Sequence, residues 1–169
     1  MPHSIYKSLI YPLDLHKYLS KTEVEQDQRM CLVFSPFNKD SDQVLRDAIK
    51  PAVLECGLWV HRIDNKKLSG DIVNEILRAL YVSGQVVIDI SSYNANVMYE
   101  LGLAHCFKRI HEVILIWKGK PNEIRLPFDI SSKRVFTYEM KPSSLTKLKD
   151  TLVECFKEIQ ELRSIAFKY

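Results

Sequence analysis

Five short apolar runs, separated by stretches with helical spacing, leave this chain very few folds to choose from. Met30-Cys31-Leu32-Val33-Phe34 is apolar at every position, the mark of a strand covered on both faces. Leu58 to Ile63, Val86 to Ile90, Val113 to Trp117 and a shorter run from Val135 to Tyr138 read as four more strands. Between them Val44, Leu45, Ala48, Ile49, Ala52 and Val53 recur at helical spacing after a start signal at Ser41-Asp42. Gly57 ends that helix, and Pro51 inside it predicts a kink or a division. Residues 71–81 and 94–107 give two further helices, with a polar loop at 64–70 before the first of them. A loop with Gly119, Pro121 and Pro127 precedes the fifth strand. A long amphipathic helix runs from Ser143 to about Ile165. Alternation of this kind means a parallel sheet with helices on both faces. The expected architecture is an α/β, flavodoxin-like (Rossmannoid) three-layer sandwich with strand order 2-1-3-4-5.

Length and composition narrow the function. At 169 residues with 46% hydrophobic residues, one globular domain is expected. It occupies residues 30–169, and residues 1–29 read as an N-terminal arm or extension that packs on its own domain or docks on a partner. The net charge of +3 argues against a nucleic-acid or membrane-surface partner. No apolar run approaches the ~18 residues of a membrane span, and no secretory leader is visible. Cys31, Cys56, Cys106 and Cys155 are too scattered for zinc or a disulfide framework, and read as reduced core residues of a cytoplasmic protein. No metal and no cofactor are expected.

In such a sheet the ligand crevice lies beyond the carboxyl ends of the strands, where strand order reverses. That places Ser35, Pro36, Phe37 and Asn38 after strand one beside Asp89 and residues 91–94 after strand three, with Asp64 after strand two able to lean in. The glycine-rich phosphate loops of dinucleotide-binding domains and P-loop NTPases are absent after strand one, as is the acidic cluster of a phospho-receiver. Glu100 stands out. Asn94 or Asn96 can cap its helix. Leu103, Ala104 and Phe107 share its stripe, and neither Lys nor Arg lies three or four residues away to pair with it. Burial raises the pKa of such a carboxylate and the helix N-terminus lowers it. Gly102, costly inside a helix, points to close approach by a ligand or by a packing neighbour. Asp89 reads as a crevice acid or as a cap on the amides of residues 91 and 92. Phe37 and Tyr99 can stack on a base or join the core. His61 and His105 read as structural.

The stretch Asp89-Ile90-Ser91 with Asn94-Ala95-Asn96-Val97-Met98-Tyr99-Glu100-Leu101-Gly102-Leu103-Ala104-His105 resembles the nucleoside 2-deoxyribosyltransferase-like superfamily, and within it the bacterial TIR-like branch. Val33 to Phe37, Ile49 to Val53, Arg62 to Asp64 and Leu126 to Asp129 with Arg134 and Tyr138 match family segments in order. The resemblance spans roughly residues 30–140. It implies cleavage of an N-glycosidic bond in a nucleoside or nucleotide by a hydrolase or transferase, with Glu100 as nucleophile and Asp89 or Asp64 assisting the departing base. It also implies that Asn94 and Asn96 hold sugar hydroxyls or the loop, and that Ser35, Phe37 and Tyr99 line the site. The family's further acid on the preceding helix falls to Glu75, with Asp71 beside it. TIR-like relatives imply two alternatives, an NAD hydrolase or a noncatalytic nucleotide-sensing module in antiphage defence or signalling. A homo-oligomer is implied as well.

Overall fold

The computed structural model describes residues 25–63 and 72–166. The expected residues Asp64 and Asp71, and the first 24 residues of the arm, lie outside the described residues. Five parallel strands form one sheet in the order β2-β1-β3-β4-β5, the order anticipated from the alternation. They are β1 (Asp27–Phe34), β2 (Trp59–Arg62), β3 (Ser83–Asp89), β4 (Val113–Lys118) and β5 (Val135–Tyr138). Helix α1 covers residues 39–55, α2 is Ile72–Val82, α3 is Ala95–Phe107 and α4 is Pro142–Ala166.

Strand alternation sorts the core into two layers. Cys31, Val33, Val87, Ile114 and Ile116 face α1 and α4, packing on Ala48, Val53, Leu152 and Phe156. Leu32, Phe34, Val86, Ile88 and Leu115 face α2 and α3, packing on Ile76, Leu80, Val97 and Leu101. The continuous apolar runs in β1, β3 and β4 therefore mean what their composition suggested, strands that bury both faces, while the edge strands β2 and β5 are only partly covered.

Three local readings change. β1 begins at Asp27, so the boundary placed after residue 29 falls inside a strand. The Asp27 carboxylate accepts a hydrogen bond from Trp59 Nε1 (2.8 Å), which anchors this polar strand start to β2. β3 likewise begins at Ser83, directly after α2, rather than at Val86. Pro51 does not divide α1. The helix is of π type over Leu45–Ile49, with Lys50 N bonded to Leu45 O, so the proline enters a widened turn and the helix runs on.

The polar start of β3 is held by α4. Arg163 donates to Gln85 Oε1 (3.0 Å), to Gln28 O (3.3 Å), to Glu112 Oε1 (3.1 Å) and to Gly84 O. Gly84 sits where a Cβ would run into the backbone carbonyl of Gln28. Backbone on both sides leaves nothing flexible to yield. Gly84→Ala is expected to destabilise the fold by about 1–3 kcal/mol or more, read as a lower urea midpoint.

Candidate functional site

The carboxyl ends of β1, β2 and β3 meet where the strand order reverses. β1 ends in Ser35-Pro36-Phe37-Asn38, and Asn38 caps α1 by accepting from Ser41 N at 2.9 Å. Phe37 is 51% exposed and lies outside the core. The guanidinium of Arg62, from the end of β2, stacks over its ring at 4.5 Å. Arg62 also donates to Asp42 Oδ1 (2.7 Å) and to Pro36 O (3.0 Å). It is thus fixed as a plane beside the aromatic ring. Two buried polar atoms here, Ser35 Oγ and Arg62 Nε, have no hydrogen-bond partner among the described residues.

β3 delivers Asp89, which is 1% exposed. Its Oδ1 accepts from Ser91 N (3.0 Å) and from the Ser91 hydroxyl, and its Oδ2 accepts from Tyr138 OH (2.8 Å). Burial pushes its pKa up, against these hydrogen bonds and the nearby Lys118, which favour the charged form. With both oxygens committed, Asp89 braces the loop and the end of β5. The loop-capping reading holds at the Ser91 amide; the Tyr138 bond was not foreseen.

The loop that follows is tightly bent. Ser92 and Tyr93 both take left-handed backbone conformations, at φ 58° and 49°, a sparsely populated state for non-glycine residues. The loop is held by Lys118 N donating to Ser91 Oγ (2.7 Å) and by Tyr93 OH donating to Arg125 O (2.7 Å). Across the mouth Lys118 Nζ meets Asp40 Oδ2 at 2.8 Å, joining β4 to α1.

Asn94 then caps α3, its Oδ1 accepting from Asn96 N (3.0 Å) and Val97 N (3.3 Å). Its side-chain oxygen is thereby used locally. Asn96 is exposed, and so is Tyr99, at 54%. Neither aromatic candidate is a core residue, and both Phe37 and Tyr99 offer ring surface to solvent.

Glu100 lies in the second turn of α3 and is half-buried. Burial pushes its carboxyl up to about 7, opposed by the positive charge of Arg62. The absence of a basic partner on its own helix was readable in the sequence; the cation supplied by β2 was not. Gly102 faces open space, where an added Cβ would meet nothing. The tight-packing explanation for this glycine is therefore removed. Gly102→Ala is expected to stabilise α3 by up to ~1 kcal/mol, seen as a higher thermal midpoint.

The remaining candidates are dispersed. Glu75 is half-buried in the first turn of α2. His61 packs edge-on against Trp59, with ring centroids 6.3 Å apart. His105 is exposed and makes no hydrogen bond among the described residues, contrary to the structural bond expected of it. All four thiols are free, but only Cys31 is fully buried and Cys106 is exposed, so the cysteines are not uniformly core residues. Among the described residues no helix is long and apolar enough to cross a membrane.

No protein-family model matches this chain, and no curated protein matches it. Among solved structures it is similar to a diflavin flavoprotein A3 from Nostoc sp., at 11% identity and a TM-score of 0.53. The likeness covers 81% of this chain and 96% of that one. At this identity it shows the fold alone, a flavodoxin-like α/β sandwich.

Proposed function

We propose that the crevice cleaves the N-glycosidic bond of a nucleoside or nucleotide, with Glu100 as nucleophile. The observation that carries this reading is the setting of Glu100. A half-buried carboxylate, pushed up to about 7 by burial against the lowering charge of the fixed Arg62 guanidinium, stands at the reversal of strand order. Perturbed carboxylates of this kind cluster at functional sites. The exposed ring of Phe37 supplies a stacking surface for a base. Ser35 Oγ and Arg62 Nε are buried polar groups that a polar ligand would satisfy.

In this reading a Glu100 oxygen attacks the anomeric carbon as the bond to the base nitrogen breaks, and the electron pair leaves with the base. The product is a glycosyl ester on Glu100. Water or a second base then attacks the same carbon and frees the carboxylate. The departing base takes a proton from a donor other than Asp89, whose oxygens are committed to the loop and Tyr138.

That same commitment favours a second reading, a noncatalytic nucleotide-binding module. Chromatography separates the two. The pure protein is incubated with a panel of nucleosides, nucleoside monophosphates and NAD, with Glu100→Gln alongside. Base released by the wild type and not by the variant supports the enzyme and identifies its substrate class. Nicotinamide from NAD alone would select the TIR-like chemistry. No release from any compound at high protein concentration would leave nucleotide binding as the reading.

A further inference from the structure

β5 is the last strand of the sheet and pairs with β4 alone among the described residues. The Tyr138 carbonyl accepts from Gly119 N at 2.7 Å, so the backbone groups of Tyr138 turn toward β4. Alternation along a strand turns those of Phe136 the same way, and those of Val135, Thr137 and Glu139 away from the sheet. The Glu139 amide is taken by Ser144 Oγ at 2.9 Å, where α4 begins. The outward amides and carbonyls of Val135 and Thr137 have no partner among the described residues.

A groove of about 710 Å³ follows this edge and is touched by every residue from Val135 to Glu139. Lys147, Leu148 and Thr151 of α4 form its other wall. Its charge is one-sided. Lys120, Lys141 and Lys147 line it with a single acid, Glu139, which is already paired with Lys141 at 3.1 Å. Lys120 and Lys147 form no ion pair among the described residues. The Arg134 guanidinium, over the Phe136 ring at 4.8 Å and near Cys155, extends the positive rim. Glu154 and Glu158, the acids near Cys155, do not line the groove.

We propose that β5 takes up an extended acidic segment of a partner protein as a sixth strand. Val135 and Thr137 offer that strand two amides and two carbonyls, the main-chain half of recognition by strand addition. Four added residues span about 13 Å. Their side chains alternate between the faces, so every second one meets the α4 wall, where carboxylates find Lys120 and Lys147. Charge also decides among the occupants. Two copies joined edge to edge would set these cations against one another. The first 24 residues of this chain carry three lysines against two acids, so they do not complement the groove either. An acidic partner does.

The test is amide hydrogen exchange and binding on the full chain, with an end-blocked eight-residue peptide of alternating glutamate and valine. In the free protein Val135 and Thr137 should exchange fast, and Phe136 and Tyr138 slowly. Saturating peptide should slow Val135 and Thr137 by about ten-fold or more. The same peptide with lysine in place of glutamate should not bind. N-methylation at the glutamates or at the valines should abolish binding in one case and spare it in the other, because only alternate amides of an added strand face β5. Lys147→Glu should weaken binding by about ten-fold or more. Thr137→Pro removes an amide that the sheet does not use, so it should fold and lose the peptide. Absence of saturable binding at millimolar peptide, equal binding of the lysine peptide, or binding unchanged in Lys147→Glu would overturn the proposal. Val135 and Thr137 already protected without peptide would overturn it too, since the edge would then be covered by this chain or a second copy. None of these readouts depends on whether the crevice at Glu100 is catalytic.

Discussion

Glu100→Gln is expected to abolish base release, by on the order of 10³-fold or more, while raising stability in alkaline solution. The first half follows from nucleophilic chemistry: a neutral amide cannot form the glycosyl ester, and loss of a nucleophile is among the largest effects a single substitution can have. The second half follows from burial. The ordinary carboxyl pKa is 4.5, and the folded protein pushes Glu100 up to about 7. A raised acid pKa means the folded state holds its proton more tightly than the unfolded chain does. The ionised carboxylate therefore costs stability, progressively as pH rises from about 4.5 to about 7, and by a constant amount above that. Glutamine removes this cost. The variant should unfold at a higher temperature than wild type at pH 8 and show no such gain at pH 4. Wild-type base release should rise with pH through about 7, as Glu100 ionises. A variant that kept full turnover would remove Glu100 as nucleophile, and one that gained no stability at pH 8 would remove the buried charge from the account.

The parts of this molecule that were legible in the sequence are those fixed by near neighbours. Met30 to Phe34 and Val86 to Ile88 are short, apolar without interruption and bounded by turn residues, which marks strands buried on both faces, and their alternation with helical segments pointed to the sheet order. Glu100 was legible because its stripe and its lack of a local cation are properties of one helix. What escaped depends on distant pairings. The charge of Arg62 acts on Glu100 from a strand distant in the sequence, and its place over Phe37 is set by Asp42 and Pro36. The polar starts of β1 and β3 look like loop in the sequence. They are strands because Trp59 holds Asp27 and because Arg163, from the far end of the chain, satisfies Gln85 and the carbonyls beside it. No periodicity rule carries that information. The exposure of Phe37 and Tyr99 escaped for the same reason, since a single aromatic residue at a strand end or on a helix does not reveal which neighbours come to cover it.

Asp89 gives the sharpest separation between a bracing role and a chemical one. Its oxygens satisfy three buried or partly buried donors: the Ser91 amide, the Ser91 hydroxyl and Tyr138 OH. Asp89→Leu strands those donors beneath the sheet end, and an unpaired buried polar group costs ~1–3 kcal/mol. The expected loss is roughly 3–5 kcal/mol, enough to unfold a marginal domain. Asp89→Asn keeps the shape. Its carbonyl oxygen still accepts from Ser91, and the Tyr138 hydroxyl can turn to accept from the new amide. The cost should fall to about 1 kcal/mol, measured from urea midpoints of the two variants side by side. If Asp89 only holds the loop, Asp89→Asn retains base release within about ten-fold of wild type, because positioning survives when the hydrogen-bond geometry does. An Asp89→Asn protein as stable as wild type but as inactive as Glu100→Gln would return Asp89 to the chemistry. That result would require one of its two oxygens to leave Ser91 or Tyr138 when substrate binds, so that the strained turn at Ser92 and Tyr93 would have to move with it.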